Sequence, residues 1–562
     1  MEAATLDGVW SRGFGSRMAR MRAIGGLPDE VAGIVAAEYV RRAGPAPVAR
    51  PYPLPDDRPP HERARAPRAW NSWLAAGLWL QQTAGALRRA RVPFAFDEWE
   101  LAERARQAAE ICAGHLRELD RCRPFAEGIG ITVPELGRGV TASGLLRRLY
   151  SAAWWHRRLR AAWCMAAESG LREAGQVHRA ASPYASRPTI ERRQGQKRRG
   201  ARFLAERVAT CIDTGEQLEL WEIAKRSIAN PAVRRAEFMT RLKGFELVAA
   251  DCGHVANFYT ITTPSRFHAR HVDGRPNENH DGSTPRDGQL YLRELWARIR
   301  AKLKRMAVVV YGFRIAEPHH DGTPHWHLIL WAPASQADTV TAVMRAHALA
   351  DTPEEPGAAR HRFKVERIDP ARGSACSYVA KYVAKNIDGH RVGGDFEAGG
   401  LAADTVTAVD AWAATYRVRQ FQQIGGPPVG LWRELRRVRE PHECEPIERA
   451  RSCADAGDWR GFVLALGGVE QCRRSPLVLE KAADGLNQWG EPAAPRAVGV
   501  RFGVLVIHTR EKVWVIALRG QTGNLGPVEI TVRGGRQAAA WNPAGQAAGA
   551  AVEPSPRGPP DG

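Results

Sequence analysis

The chain has 562 residues, enough for two to four domains, with 44% hydrophobic and 25% charged residues, the proportions of a soluble globular protein. Its 81 Lys and Arg against 61 Asp and Glu leave a formal net charge of +20 and a pI near 10.0, which points to a polyanionic partner and to nucleic acid first. No apolar run reaches membrane-spanning length, the first residues lack a secretory apolar core, and nine cysteines form no CxxC pair, so no membrane association is expected and a reducing cytoplasm is.

Residues 1–68 read as a basic, Pro-rich arm, clearest in "RRAGPAPVARPYPLPDDRPP", a composition that favours extended chain over a core. From 69 to 245, Ala, Leu, Arg and Trp recur at helical spacing, as in "RRLYSAAWWHRRLRAAWCMAA", and predict a largely helical region. Within it, "ERRQGQKRRG" at 191–200 is either a solvated helix face or a surface that tracks phosphates. The texture then changes. "ANFYTITTPS", "MAVVVYGFRIAE" and "HWHLILWA" are β-branched and aromatic runs between turn residues, and predict a sheet-containing domain over 246–440. Residues 441–535 read as a C-terminal accessory region, where "RFGVLVIHTREKVWVIALRG" (501–520) predicts a hairpin of a small β element. The remainder, 536–562, is Ala, Gly and Pro with little to bury, and is expected to be disordered.

The stretch "EPHHDGTPHWHLILW" (317–331) places four histidines within nine residues. Alternate side chains of a strand share a face, so His325, His327, Ile329 and Trp331 point one way and Trp326, Leu328 and Leu330 the other. Both sets are largely apolar, which predicts a central strand buried on both sides. Two imidazoles at the entry of such a strand carry a desolvation cost unless their nitrogens are used, and a metal would use them. The preceding strand ends at Glu317, with a turn signal at Asp321 and Gly322. A hairpin there returns Glu317 beside His325 and His327, giving two imidazoles and one carboxylate with positions left for water and substrate. The alternative is that these are turn polars capping backbone groups. His319 and His320 fall in the connection, either exposed, in contact with DNA, or supporting the ligands.

"SYVAKYVAKNI" follows helical logic. At 100° per residue Tyr378, Lys381, Tyr382 and Lys385 share one stripe, while Val379, Ala380, Val383, Ala384 and Ile387 cover the rest. Tyrosines at i, i+4 are more often packing than chemistry, yet here other residues already supply the packing face. A phenol is a poor nucleophile at its ordinary pKa near 10 and needs a polarised electrophile and cations to hold it. A metal site and two lysines one turn from each Tyr meet both needs, and the electrophile implied is a phosphodiester.

With these residues in view, the His-hydrophobic-His strand followed by a YxxxY helix resembles the HUH endonucleases that initiate rolling-circle replication. More closely, "FYTITTPSRFH", "YLRELWARIRAKLKR", "YGFRIAEPHHDGTPHWH", "SYVAKYVAKNIDG" and "RQFQQIGGPPVGLWRELRR" resemble the phage replication gene A protein family over roughly residues 200–470. The resemblance implies an α+β fold in which an antiparallel HUH-like sheet is flanked by helices and joined to the helical N-terminal region and the C-terminal β element. It implies that Tyr378 and Tyr382 are nucleophiles aided by Lys381 and Lys385, and that His325, His327 and Glu317 bind Mg2+ or Mn2+. Thr260 and Thr262, on the strand of the first motif, together with Arg419, Gln420 and His320, would contact DNA. The activity implied is nicking of one origin strand to give a 5'-phosphotyrosine and a free 3'-OH, then strand transfer and religation in a bacterial host cytoplasm. No GxxxxGK[ST] loop is present, so unwinding would fall to a host helicase. The competing expectations are a plasmid relaxase or single-strand transposase using the same chemistry, or a non-catalytic DNA-binding protein with a structural metal. In "WAATYRVRQFQQIGGPPVGLWRELRR" the aromatics serve either to stack unpaired bases or to build a core. His442, Cys444 and Cys453 match no strong zinc spacing and are read as structural.

Overall fold

The computed structural model describes residues 98–520, apart from 138, 372, 388–393, 396–399 and 484, together with 532 and 533. The arm expected at 1–68 and the tail expected at 536–562 lie outside the described residues.

A helical layer comes first, as the periodicity predicts. Helices α1 (Glu98–Glu110), α2 (Leu119–Gly128), α3 (Ala142–Leu149) and α4 (Ala152–Glu173) close around Leu101, Leu145, Leu149, Trp154 and Trp155. Thr141 and Ser151 cap α3 and α4 by accepting from the backbone N–H groups of Gly144 and Trp154, which satisfies donors that a helix start leaves orphaned. Helix α5 (Arg187–Ala205) follows, largely exposed. The chain then departs from the helical expectation for 69–245: β1 (Arg207–Cys211) and β2 (Gln217–Glu219) form an antiparallel pair before α6 (Leu220–Lys225).

Helix α7 (Pro231–Cys252) starts with Asn230 accepting from Ala232 N and Pro231 in the first turn, and stops at Gly253, which takes φ 65°. It delivers the chain to β3 (His254–Thr262). Next come α8 (Pro285–Arg305), opened by a reciprocal Thr284–Asp287 capping box, then β4 (Tyr311–Pro318) and β5 (Pro324–Pro333). Helix α9 (Ala337–Leu349), β6 (Phe363–Arg367), α10 (Ala375–Ile387), α11 (Ala402–Thr415) and β7 (Phe421–Ile424) complete the unit.

Five strands form one antiparallel sheet in the order β6-β3-β5-β4-β7, with the histidine strand in the middle. Its two faces carry separate cores, as the alternation predicts. Ile329 and Trp331 face α7 and α10, packing with Phe245, Val379 and Val383. Trp326, Leu328 and Leu330 face α8, α9 and α11, packing with Leu295, Met344 and Trp412. Burying such side chains contributes about 1.5–3 kcal/mol each, which fixes the register because a one-residue slip would exchange the faces. Gly312 allows β4 and β5 to approach: at φ 149° a Cβ there would stand 2.0 Å from the Ile329 carbonyl oxygen.

The core on the α7 and α10 side of the sheet continues into residues after 440. Helices α12 (Val429–Leu435), α13 (Glu445–Ala456) and α14 (Trp459–Ala465) place Trp432, Ile447, Trp459 and Phe462 in the same cluster as Phe245 and Trp331. The expected hairpin over 501–520 is redrawn. Strands β8 (Leu477–Ala482), β9 (Arg496–Phe502) and β10 (Leu505–His508) form one sheet, so the hairpin is β9–β10. Strand β11 (Val513–Leu518) leaves it and pairs with β1, because Trp514 has a place in the small core of Ala209, Cys211 and Leu220. Its other edge pairs with β12 (Val532–Arg533).

Candidate metal and tyrosine site

The β4–β5 hairpin builds the first half of the site. Glu317 stands directly opposite His325, with Gly322 at φ 81° in the connection and the Gly322 N–H donating to the His319 carbonyl at 2.8 Å. That register brings Glu317, His325 and His327 together: one ligand atom from each lies within 4.8 Å of the others, and all three side chains are buried. The two Nε2 atoms are 3.0 Å apart, and His327 Nε2 is 3.9 Å from a Glu317 carboxylate oxygen. Two imidazole nitrogens pressed together beside a carboxylate, out of water, suit a divalent cation better than they suit one another. The donor set fits Mn2+ or Mg2+, and its two imidazoles favour Mn2+ of the pair.

Neighbouring side chains hold these ligands in place. Thr260, opposite His327 on β3, puts Oγ1 3.0 Å from His327 Nδ1 and leaves Nε2 toward the cluster. His319 stacks on His325 with ring centroids 4.0 Å apart. Beneath the turn, Asp321 is fully buried and accepts from Ala269 N at 2.9 Å and Thr323 N at 3.0 Å. Arg172 reaches in from α4, donating to the Asp321 carbonyl at 2.8 Å and to Thr323 Oγ1 at 2.8 Å. Burial opposes the Asp321 charge, but His268, Arg172 and His320 hold its carboxyl well below the usual carboxylate range. Trp412 donates its indole N–H to the Gly322 carbonyl at 2.7 Å from the other side.

Helix α10 supplies the second half. Phe258 of β3 stacks against both parts, 5.4 Å from the His327 ring and 5.2 Å from Tyr382. Tyr382 lies 4.4 Å from His327, centroid to centroid. Burial, then the Glu317 and Glu366 carboxylates and the Tyr378 phenol, push its hydroxyl above the ordinary tyrosine range. Tyr378, one turn earlier, donates its hydroxyl to Glu366 on β6. One turn after Tyr382, the Asn386 amide donates both to a Glu317 oxygen and to the Tyr382 carbonyl, the latter at 2.7 Å. Gln420 Nε2 donates to Asn386 Oδ1 at 3.1 Å.

The geometry brings together Glu317, His325, His327, Tyr378 and Tyr382, and adds Asn386, which sequence reading passed over although it shares the Tyr382 stripe at i+4. The residues expected to contact DNA lie in varied settings. Thr260 and Gln420 have their side chains engaged within the protein, and Thr262 Oγ1 donates to the His361 carbonyl at 3.0 Å. His320 is buried, not displayed on an exposed loop, because its backbone carbonyl accepts from Tyr184 N and the turn packs inward. Arg419 is exposed. Trp412, Tyr416 and Trp432 are buried core residues, so they are not stacking platforms. Lys381 and Lys385 belong to α10, but their side chains lie outside the described residues. His442 Nδ1 accepts from Cys444 N at 2.9 Å, a local turn contact, and among the described residues the one metal-competent cluster is Glu317, His325 and His327.

Residues 130–390 match the family described as bacteriophage replication gene A protein. Replication gene A protein of Escherichia phage 186 is 40% identical over 359 residues, covering 61% of this chain and 51% of the relative. Replication gene A protein of Escherichia phage P2 is 35% identical over 397 residues, 67% of this chain and 52% of the relative. A protein of Salmonella paratyphi A named "Probable replication endonuclease from prophage-like region" is 36% identical over 374 residues, covering 64% and 46%. The chain thus spans about half the length of the curated relatives it matches. No solved structure matches it, and no helix among the described residues is long and apolar enough to cross a membrane.

Proposed function

From a chain whose residues 130–390 belong to the bacteriophage replication gene A protein family, we infer a replication initiator of the HUH type: a metal-dependent endonuclease that nicks one origin strand by tyrosine attack. The observation that carries this reading is the Tyr382 ring 4.4 Å from His327, at the edge of a buried Glu317, His325 and His327 cluster. A divalent cation held there would polarise the scissile phosphoryl group as a Lewis acid. Tyr382 oxygen forms a bond to phosphorus and the bond from phosphorus to the 3'-oxygen breaks. The strand then carries a 5'-phosphotyrosine, the phenol proton is given up, and a proton ends on the released 3'-hydroxyl. Phosphodiester is exchanged for phosphodiester, so the step conserves the bond for religation.

Tyr382 acts first in this account because its ring abuts the cluster, while Tyr378 is held by Glu366 one turn away. The second tyrosine then accepts the new 5' end at termination, which lets one chain transfer strands. Lys381 and Lys385 share the stripe and would hold phosphate oxygens, and the exposed Arg419 would contact DNA. A host helicase would open the duplex from the nick.

The test uses a supercoiled plasmid carrying the protein's own coding region as the candidate origin. Incubated with Mn2+ or Mg2+, it should yield DNA joined to protein on a denaturing gel. The adduct should vanish with EDTA and in the Tyr378→Phe/Tyr382→Phe double variant. Tight zinc without any adduct would instead mark a structural metal in a DNA-binding protein.

A further inference from the structure

Helix α5 carries seven Arg and Lys against one acid, Glu191. Three of the seven are engaged: Arg193 and Lys197 pair with Asp410 at 2.7 and 2.9 Å, and Arg192 lies over the Trp163 ring. The other four, Arg187, Arg198, Arg199 and Arg202, are exposed and form no ion pair among the described residues. At 100° per residue they fall within about a third of the helix circumference, so they form a stripe rather than a scatter.

The stripe has a beginning and an end. Two residues before the helix cap, Tyr184 N donates to the His320 carbonyl at 3.2 Å, so α5 departs from the turn of the metal-binding hairpin. Its 19 residues extend about 28 Å to the small sheet. There Leu204 shares a core with Leu220 and Ile223 of α6, and two aromatic rings stay outside it. Phe203 is 41% exposed and Trp221 42%, and each carries a cation over one face: Arg207 over Phe203 and Lys225 over Trp221.

A row of unpaired guanidinium groups leading to partly exposed, cation-backed aromatic rings is the chemistry of a single-stranded nucleic acid track: cations follow the phosphates and rings stack unpaired bases. We propose that α5 with Phe203 and Trp221 binds single-stranded DNA leading away from the metal and tyrosine site. This rests on the nuclease reading for the identity of the strand. Duplex is disfavoured because exposed rings offer nothing to paired, stacked bases.

The test is fluorescence anisotropy with a labelled oligothymidine of about 16 nucleotides, the upper range of a stacking site. EDTA is present, so nothing depends on cleavage and failure of the nuclease reading would show separately, as absence of the covalent adduct. Arg198→Ala/Arg199→Ala/Arg202→Ala should weaken binding about tenfold or more and flatten the slope of log affinity against log salt by about 2, three phosphates at about 0.7 each. Phe203→Ala/Trp221→Ala should weaken binding about fivefold or more with the salt slope unchanged. Circular dichroism melting checks that both variants stay folded. Binding and salt slope unchanged in the arginine variant, or an equal loss on a matched hairpin duplex, would overturn the proposal.

Discussion

The Asn386 amide donates to a Glu317 carboxylate oxygen, which ties the tyrosine helix to the metal-binding hairpin through one side chain. Because the same amide also donates to the Tyr382 carbonyl, it sets where the tyrosine stands relative to the cluster. Asn386→Ala is expected to lower the nicking rate about 10- to 100-fold and to raise the Mn2+ concentration needed for half-maximal rate, as loss of a ligand-orienting partner does. A metal titration of the rate checks it. A purely structural role would lower thermal stability without moving the metal dependence.

Thr260→Val keeps the shape of the strand residue and removes the hydroxyl beside His327 Nδ1. The ring then loses the partner that fixes its tautomer. Affinity for Mn2+, measured by calorimetry, should fall about 10-fold while the melting temperature changes little.

Tyr382→Phe should abolish the first adduct on a single-turnover substrate. Tyr378→Phe should still form it and fail in transferring the strand to a second 5' end. Equal loss in the two variants would remove the order assigned to the tyrosines.

Glu491, between β8 and β9, ties that connection to the helical layer, accepting from Arg148 through both carboxylate oxygens at 2.7 and 2.5 Å. The Arg148 guanidinium, with Asn487 and the Thr141 N–H, holds its carboxyl down to about 2. A free glutamate titrates near about 4.3. The folded value is depressed, so this contact stabilises the fold fully above about 4.3 and loses its contribution as pH falls toward 2. Wild-type melting temperature should therefore drop more steeply than that of Glu491→Gln below about pH 4.3. Parallel curves would show that Glu491 is not coupled to folding.

Much of the site was readable because it is local. A five-residue connection between two strands leaves few registers, so Glu317 opposite His325 followed from the hairpin, and helical periodicity put Tyr378 and Tyr382 on one stripe. The same periodicity carried Asn386, but an amide one turn past a tyrosine has no meaning until its partner, 69 residues earlier, is in place. Arg172 gave no signal: it acts on Asp321 from 149 residues away, and a lone arginine in a helix resembles a surface residue. The setting of His320 stayed open in the sequence for the complementary reason, since polar turn residues ordinarily face water and only tertiary packing buries this one. Strand β11 read as half of a hairpin because a β-branched run looks the same whichever strand it pairs with; its partner β1 lies some three hundred residues upstream.

The most direct test of the central claim is to locate the DNA on the protein. Trypsin cuts after Arg372, Lys381 and Lys385, which puts Tyr378 in residues 373–381 and Tyr382 in residues 382–385. The adduct formed with Mn2+ would be digested with nuclease and trypsin and read by mass spectrometry. A residual nucleotide is expected on the tetrapeptide 382–385 after the first nick. A nucleotide on a peptide that contains neither tyrosine, or no modified peptide under conditions where the DNA is cut, would contradict it.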